Sequence, residues 1–264
     1  MPFASLPMYD WPEVRAQTDA LWARMAELIE EAGIEAPPRL TRDRSPADMW
    51  ADPELLFSQT CGLPWVAGAA RATRLIATPI YHVEGCGAGV YSSAIVTRTD
   101  GPEDAAALVG RRFAANAPGS LSGWAALIDF LGVEAIGSVL WTGTHRDSVI
   151  AVAEGRADAA AIDAVCWDMA RRFEPAAARL RVAAWTRPAP ATPFVTSALT
   201  ESGVRARLRA ALVEALVDDA MRPVRRVLGL RGVAALADVD YDPARRLAAE
   251  VRAAAILRPD LMPA

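Results

Sequence analysis

Apolar and polar positions alternate along the chain in blocks of strand or helix length. Phe3 to Leu6 predicts a short strand, stopped by Pro7. Trp11 to Ala32 carries Val14, Leu21, Trp22, Met25, Leu28 and Ile29 at helical spacing, with Gly33 just past its end. Leu55 to Thr60 is a second strand, closed by Cys61-Gly62-Leu63-Pro64; Arg74 to Thr78 is a third and Tyr91 to Thr97 a fourth. The glycines between His82 and Val90 mark a loop. From Asp100 the pattern becomes regular. Helices are predicted at Asp104 to Val109, Ser122 to Leu131, Arg146 to Glu154 and Val165 to Phe173. They alternate with strands at Arg112 to Ala115, Ser138 to Trp141, Ala159 to Ile162 and Leu180 to Trp185. This βαβα rhythm predicts a mostly parallel sheet covered by helices. The proline-rich Arg187 to Pro193 then reads as a linker. A strand at Phe194 to Thr196 and helices at Ser202 to Val217 and Pro243 to Ala255 follow.

Boundaries near Gly89-Val90 and within the proline linker bracket an α/β unit of about 100 residues, an ordinary domain size. The expected division is 1–89 plus 191–264 for one lobe and 90–190 for the other. A chain that leaves one lobe, builds a second and returns has a double crossover hinge, and such proteins close around ligands.

Composition narrows the chemistry. All 28 basic residues among the 264 are arginine, which excludes Schiff-base and pyridoxal phosphate enzymes and any phosphate loop that needs a lysine. The net charge of −4 and the scattered arginines leave no footprint for nucleic acid. Three cysteines, Cys61, Cys86 and Cys166, lack metal or redox spacing and point to a reducing compartment. No apolar run approaches the ~18 residues of a membrane span, so no membrane insertion is expected. The first residues have neither a basic n-region nor an apolar core, so the expected location is cytoplasmic, or periplasmic if the start is misassigned.

Three segments carry the candidate chemistry. In Phe113-Ala-Ala-Asn-Ala-Pro-Gly-Ser-Leu-Ser-Gly-Trp124 a strand runs into a polar loop and then a helix, placing Asn116, Ser120, Ser122 and the amide of Gly123 at the carboxyl edge of a parallel strand, where ligands sit in open α/β sheets. Hydroxyls, loop amides and the helix dipole favour an anion there without any lysine; the plainer reading is a helix cap. Trp141-Thr-Gly-Thr-His-Arg-Asp-Ser148 repeats the layout with Thr142, Thr144 and His145. Gly155-Arg-Ala-Asp-Ala-Ala-Ala-Ile-Asp163 ends a strand in a carboxylate that either caps the next helix or accepts a ligand proton.

Tyr91-Ser-Ser-Ala-Ile-Val-Thr97, Ser120-Leu-Ser-Gly123, Gly143-Thr-His145 and Gly155 to Asp163 stand in the order seen in the phosphate/phosphite/phosphonate ABC-transporter substrate-binding proteins, and the chain resembles that family over roughly Tyr81 to Ser197. Ala4 to Asp10 and Ser58 to Pro64 resemble a leaderless branch of it. The resemblance implies the two-lobed type 2 periplasmic-binding fold, an α/β architecture in which each lobe is a mostly parallel sheet flanked by helices. It implies a monomer whose partners are a small-molecule anion and an ABC permease, with no cofactor and no metal. It places Ser120, Ser122, the Gly123 amide, Thr144 and His145 on the anion, and Tyr91 near the crossover. Asp163 lies near, but not on, the acidic position that phosphonate binders use for a ligand amine. Fold geometry points Tyr9, Gln59 and Thr60 at the interlobe cleft; Tyr9 reads equally as a surface tyrosine in a Pro/Asp turn.

Other readings fit less well. Gly119-Ser-Leu-Ser-Gly123 puts leucine where a nucleophile elbow needs serine, which disfavours a Ser-His-Asp hydrolase. Cys61, His82, Cys86 and His145 lack metal-ligand spacing. A thiamine-pyrimidine-synthase-like enzyme on the same fold needs histidine and metal chemistry that two histidines supply poorly; a cytoplasmic ligand sensor is the third alternative.

Overall fold

Strands β2 (Leu55–Gln59), β8 (Ala159–Asp163) and β11 (Phe194–Ser197) are buried at every position, as expected of strands covered on both faces. They anchor two sheets in two compact units of a computed structural model, which describes residues 1–69, 72–104 and 106–263. Unit 1 comprises Met1–His82, Gly87–Gly89 and Pro190–Tyr241; unit 2 comprises Val83–Cys86, Val90–Ala189 and the segment from Asp242 onward.

In unit 1 the strand order is β1-β2-β11-β3-β12, with β1 at Phe3–Ala4, β3 at Thr73–Tyr81 and β12 at Leu230–Ala234. Helix α1 (Arg15–Glu31) follows a 3₁₀ turn at Pro12–Val14 and buries Leu21, Trp22, Met25, Leu28 and Ile29, the stripe that its periodicity predicts. The short α2 (Pro46–Ala51) is capped by Ser45, and α6 (Ser202–Val217) and α7 (Arg222–Leu228) are the unit's later helices. Tyr241 closes the unit: fully buried, it shares a hydrogen bond with Thr78 Oγ1 (2.8 Å), donates to Ala191 O (3.0 Å) and meets Trp65 edge-on at 4.5 Å.

In unit 2 the order is β7-β6-β8-β5-β9, with β5 at Ser93–Arg98, β6 at Arg112–Ala115, β7 at Ser138–Trp141 and β9 at Leu180–Trp185. Its helices are α3 (Ala126–Leu131), α4 (His145–Ala153) and α5 (Ala164–Phe173). Ile95, Phe113, Trp124, Leu127, Ile136 and Ala161 form its core. Among the described residues no helix is long and apolar enough to cross a membrane.

Several expectations need correction. The sheets are mixed, not mostly parallel. β6 runs parallel to β7 and β8, but β5 is antiparallel to β8 and β9; β11 is likewise antiparallel to β2 and β3. β5 and β11 are the first long strands after each passage of the chain between units, so no βα crossover sets their direction. The C-terminal segment belongs to unit 2, not to the first lobe. Helix α8 (Asp242–Leu257) packs on Leu121–Ala125 and α3, and Trp141 Nε1 donates to Leu261 O at 3.0 Å. The predicted strand at Tyr91 to Thr97 divides into β4 (Val90–Tyr91) and β5, and β4 pairs with β10 (Ala189–Pro190). Pro190 is tolerated because a two-stranded ribbon consists only of edges. The helix expected at Asp104 to Val109 is a 3₁₀ turn at Ala106–Leu108, and position 105 lies outside the described residues.

Candidate functional site

Because β7, β6 and β8 are adjacent and parallel, the loops that follow them leave the same edge of the unit 2 sheet. All three candidate segments therefore meet there. Ser120 caps the next element, its Oγ accepting from Gly123 N at 2.9 Å. That element begins as a π-helical turn over Leu121–Ala125 before α3, a local irregularity often found at functional sites. The turn directs the buried Ser122 hydroxyl to His145 Nε2, 2.9 Å away at the first position of α4.

Asn116 ends β6. Its carbonyl accepts from Gly143 N (3.0 Å), tying the first loop to the second. Its side-chain Oδ1 is buried with no hydrogen-bond partner among the described residues, and so is His145 Nδ1. A Cβ at position 123 would overlap Asn116 Oδ1, so glycine is required for this close approach. Two buried, unpartnered polar atoms beside a Ser–His pair are a costly arrangement unless something else satisfies them.

Burial lowers the His145 pKa from 6.5 to about 4, so the imidazole is neutral near pH 7. The folded ring stays neutral while the unfolded chain takes up a proton, so this contribution to stability is complete above pH 6.5 and lost as the pH falls toward 4. The loss amounts to about 3 kcal/mol. Urea denaturation of wild type and His145→Gln between pH 7 and 4 checks this: the difference between the two should shrink by that amount on acidification, and a constant difference would contradict it.

The remaining unit 2 candidates are engaged by the fold itself. Gly123 N–H, expected on the anion, is spent on the Ser120 cap. Thr142 Oγ1 lies within hydrogen-bond distance of Ala115 O (3.2 Å), Thr144 O (3.1 Å) and Ser148 Oγ (2.6 Å). Thr144 is the N-cap of α4, accepting from Asp147 N and donating to Asp147 Oδ2. Asp163 caps α5 through the amides of Val165 (2.8 Å) and Cys166 (3.2 Å), the plainer of its two sequence readings. Burial and the Asp163 carboxylate push the Cys86 thiol up to about 12, leaving no thiolate.

Tyr91 is buried and lines a small cavity together with Ser93, Ser122 and Thr186. Sequence reasoning missed the charged wall of that cavity. Asp129, its carboxylate almost fully buried, is gripped by Arg187 through Nε (2.9 Å) and Nη2, with Arg246 of α8 at 3.8 Å. The i, i+4 relation of Asp129 to Ala125 places it on the inner face of α3, but nothing in the sequence links it to Arg187 or Arg246.

In unit 1, Tyr9 and Gln59 come together and Thr60 does not join them. Gln59 Nε2 donates to Tyr81 Oη (3.0 Å) and Thr192 Oγ1 (2.9 Å), and Tyr9 stands edge-on to Tyr81 at 5.3 Å. Tyr9, Gln59 and Tyr81 line an apolar cavity with Leu21 and Phe194. Thr60 is fully buried: its N–H donates to Pro193 O (3.0 Å) and its hydroxyl to Cys61 O (3.3 Å).

Comparison with solved structures shows the same fold at low identity. A binding-protein component of an ABC phosphonate transporter from Pseudomonas aeruginosa superposes with a TM-score of 0.75 at 14% identity, over 97% of this chain and 88% of that one. PhnD1 from Prochlorococcus marinus, solved with methylphosphonate, gives 0.75 at 13% identity, over 95% and 98%. XAC2383 from Xanthomonas citri, bound to chloride, gives 0.74 at 18% identity, over 97% and 99%. No curated protein matches the chain in sequence. The family model described as ABC transporter, phosphonate, periplasmic substrate-binding protein matches residues 3–241, nearly all of unit 1 and unit 2 up to α8, and the chain therefore belongs to this family of solute-binding proteins, which bind and do not catalyse.

Proposed function

We propose that this binding protein captures a small tetrahedral oxyanion, phosphate- or phosphonate-like, with the donors that unit 2 gathers around Ser122 and His145, and delivers it to an ABC permease. One observation carries this reading: Ser122 Oγ and His145 Nε2 are 2.9 Å apart at the shared loop edge, while His145 Nδ1 and Asn116 Oδ1, the latter able to accept only from a protonated ligand oxygen, lie buried beside them with no partner among the described residues. The Ser122–His145 pair itself is uncharged at neutral pH, and the Asp129 carboxylate on the adjoining cavity wall is paired with Arg187. The site would hold an anion by replacing hydration with hydroxyl, amide and imidazole donors, the condition under which burying a charge is tolerable. Two of the similar structures hold anions, methylphosphonate in one and chloride in the other.

A thermal-shift series with methylphosphonate, phosphite, phosphate, sulfate and a small alkylamine tests the proposal. A phosphorus oxyanion at about 100 times its Kd should add about 2.7 kcal/mol, a rise in Tm of roughly 5 °C or more. A series in which only the amine shifts the transition, or in which no phosphorus oxyanion does, would refute it.

A further inference from the structure

Unit 1 holds a second concentration of polar chemistry that shares no residue with the Ser122–His145 edge. Helix α7 (Arg222–Leu228) presents Arg222, Arg225 and Arg226 at i, i+3 and i+4, hence on one face. The chain then reverses at Gly229, whose φ of 64° is the left-handed conformation that glycine adopts freely, and enters β12 with Arg231. His82 N donates to Gly229 O at 2.7 Å, fixing the end of β3 to the turn. The four arginines and His82 line one open concavity of about 560 Å³, and no acidic side chain lines it.

Little in the protein neutralises this surface. Arg222 pairs with Asp219 at 2.7 Å, but both side chains are exposed and such a pair holds weakly. Arg225 donates to the backbone carbonyl of Asp218 (2.7 Å), whose carboxylate is taken by Arg24 (2.9 Å). Arg226 and Arg231 have no ion pair among the described residues. Compensation of the helix dipole accounts for Arg225 and Arg226 in the last turn of α7. It does not account for Arg222, which sits at the first position, where a cation is disfavoured, nor for Arg231 beyond the helix.

We propose that this concavity is a second anion site, for the phosphate chain of a small soluble polyphosphate. Its volume lies in the ~300–1,000 Å³ range of small-molecule sites. Arg222 and Arg226 are separated by about 6 Å along the helix at ~1.5 Å per residue, a span suited to linked phosphates and not to a single one. Guanidinium groups bind phosphate oxygens in pairs, so converging arginines recognise a short phosphate chain through several forks.

Calorimetric titration of the full chain with inorganic triphosphate in low salt tests the site. Triphosphate should bind, weaken about tenfold or more as NaCl rises from about 20 to about 200 mM, and lose about tenfold or more in Arg226→Glu/Arg231→Glu. The milder Arg226→Gln/Arg231→Gln pair should fall between, and far-UV circular dichroism checks that both variants are folded. Ser122→Ala should leave triphosphate binding unchanged. The proposal is overturned if wild type does not bind triphosphate in low salt, if charge reversal leaves the affinity unchanged, or if Ser122→Ala abolishes it. It is equally overturned if anionic phosphatidylglycerol vesicles sediment the chain while soluble triphosphate neither binds nor competes.

Discussion

Replacing Trp124 by alanine will cost about 3–5 kcal/mol of unfolding free energy, the range for removing a fully buried large aromatic. Trp124 is completely buried among Ile95, Phe113, Leu127 and Ile136, and it meets Trp141 edge-on at 5.3 Å. It also stands in the π-helical turn two residues after Ser122, so its loss empties the core beneath the candidate site. Because natural domains are stable by only about 5–15 kcal/mol, the variant should unfold at a clearly lower urea midpoint and respond less to any ligand of the Ser122 edge. Trp124→Phe is the informative control. The indole N–H is buried without a hydrogen-bond partner, so phenylalanine removes an unsatisfied donor along with some contact area, and its cost should be well under half that of alanine. Comparable midpoints for Trp124→Ala and wild type would show that the core is not built around this residue.

Ser122→Ala and His145→Ala form the second test. Hydrogen bonds to a charged group contribute about 1.5–3 kcal/mol each, so either substitution should weaken oxyanion binding by roughly 10- to 100-fold. The two groups touch, so the double variant should lose less than the sum of the two. Thr144→Ala separates binding from scaffolding. Its hydroxyl caps α4, so its removal should lower stability by about 1 kcal/mol and leave affinity nearly unchanged. Isothermal titration with the tightest anion measures all four proteins. Affinities within twofold of wild type in both Ser122→Ala and His145→Ala would eliminate the proposed site.

Much of the architecture was legible because the central strands are local apolar runs and the long helices carry periodic stripes. The parallel run of β6, β7 and β8 and the meeting of their loops followed from the βα alternation, but the place of β6 between the other two did not. Strand direction was not legible: β5 and β11 enter their sheets straight from the other unit, and no local residue pattern records that. Nor was the home of α8, whose apolar face suits either sheet until Trp141 and Leu261 are seen to pair. The approach of Ser122 to His145 was readable from two similar loops. The capping roles of Ser120 and Asp163 were also readable, whereas Thr144, expected on the anion, caps α4 instead, since cap chemistry and ligand chemistry use the same residue types. Asp129 with Arg187 and Arg246 was invisible, being a contact between positions more than fifty residues apart in the chain.

The passages of the chain between units have a consequence for biosynthesis. β12 and Tyr241 complete the first unit, and α8 completes the second. A ribosome releases residues in order, so the first unit lacks β12 and Tyr241, and the second lacks α8, until more than two hundred residues have emerged. The nascent polypeptide must therefore hold two unfinished sheets at once, with apolar strands awaiting distant partners.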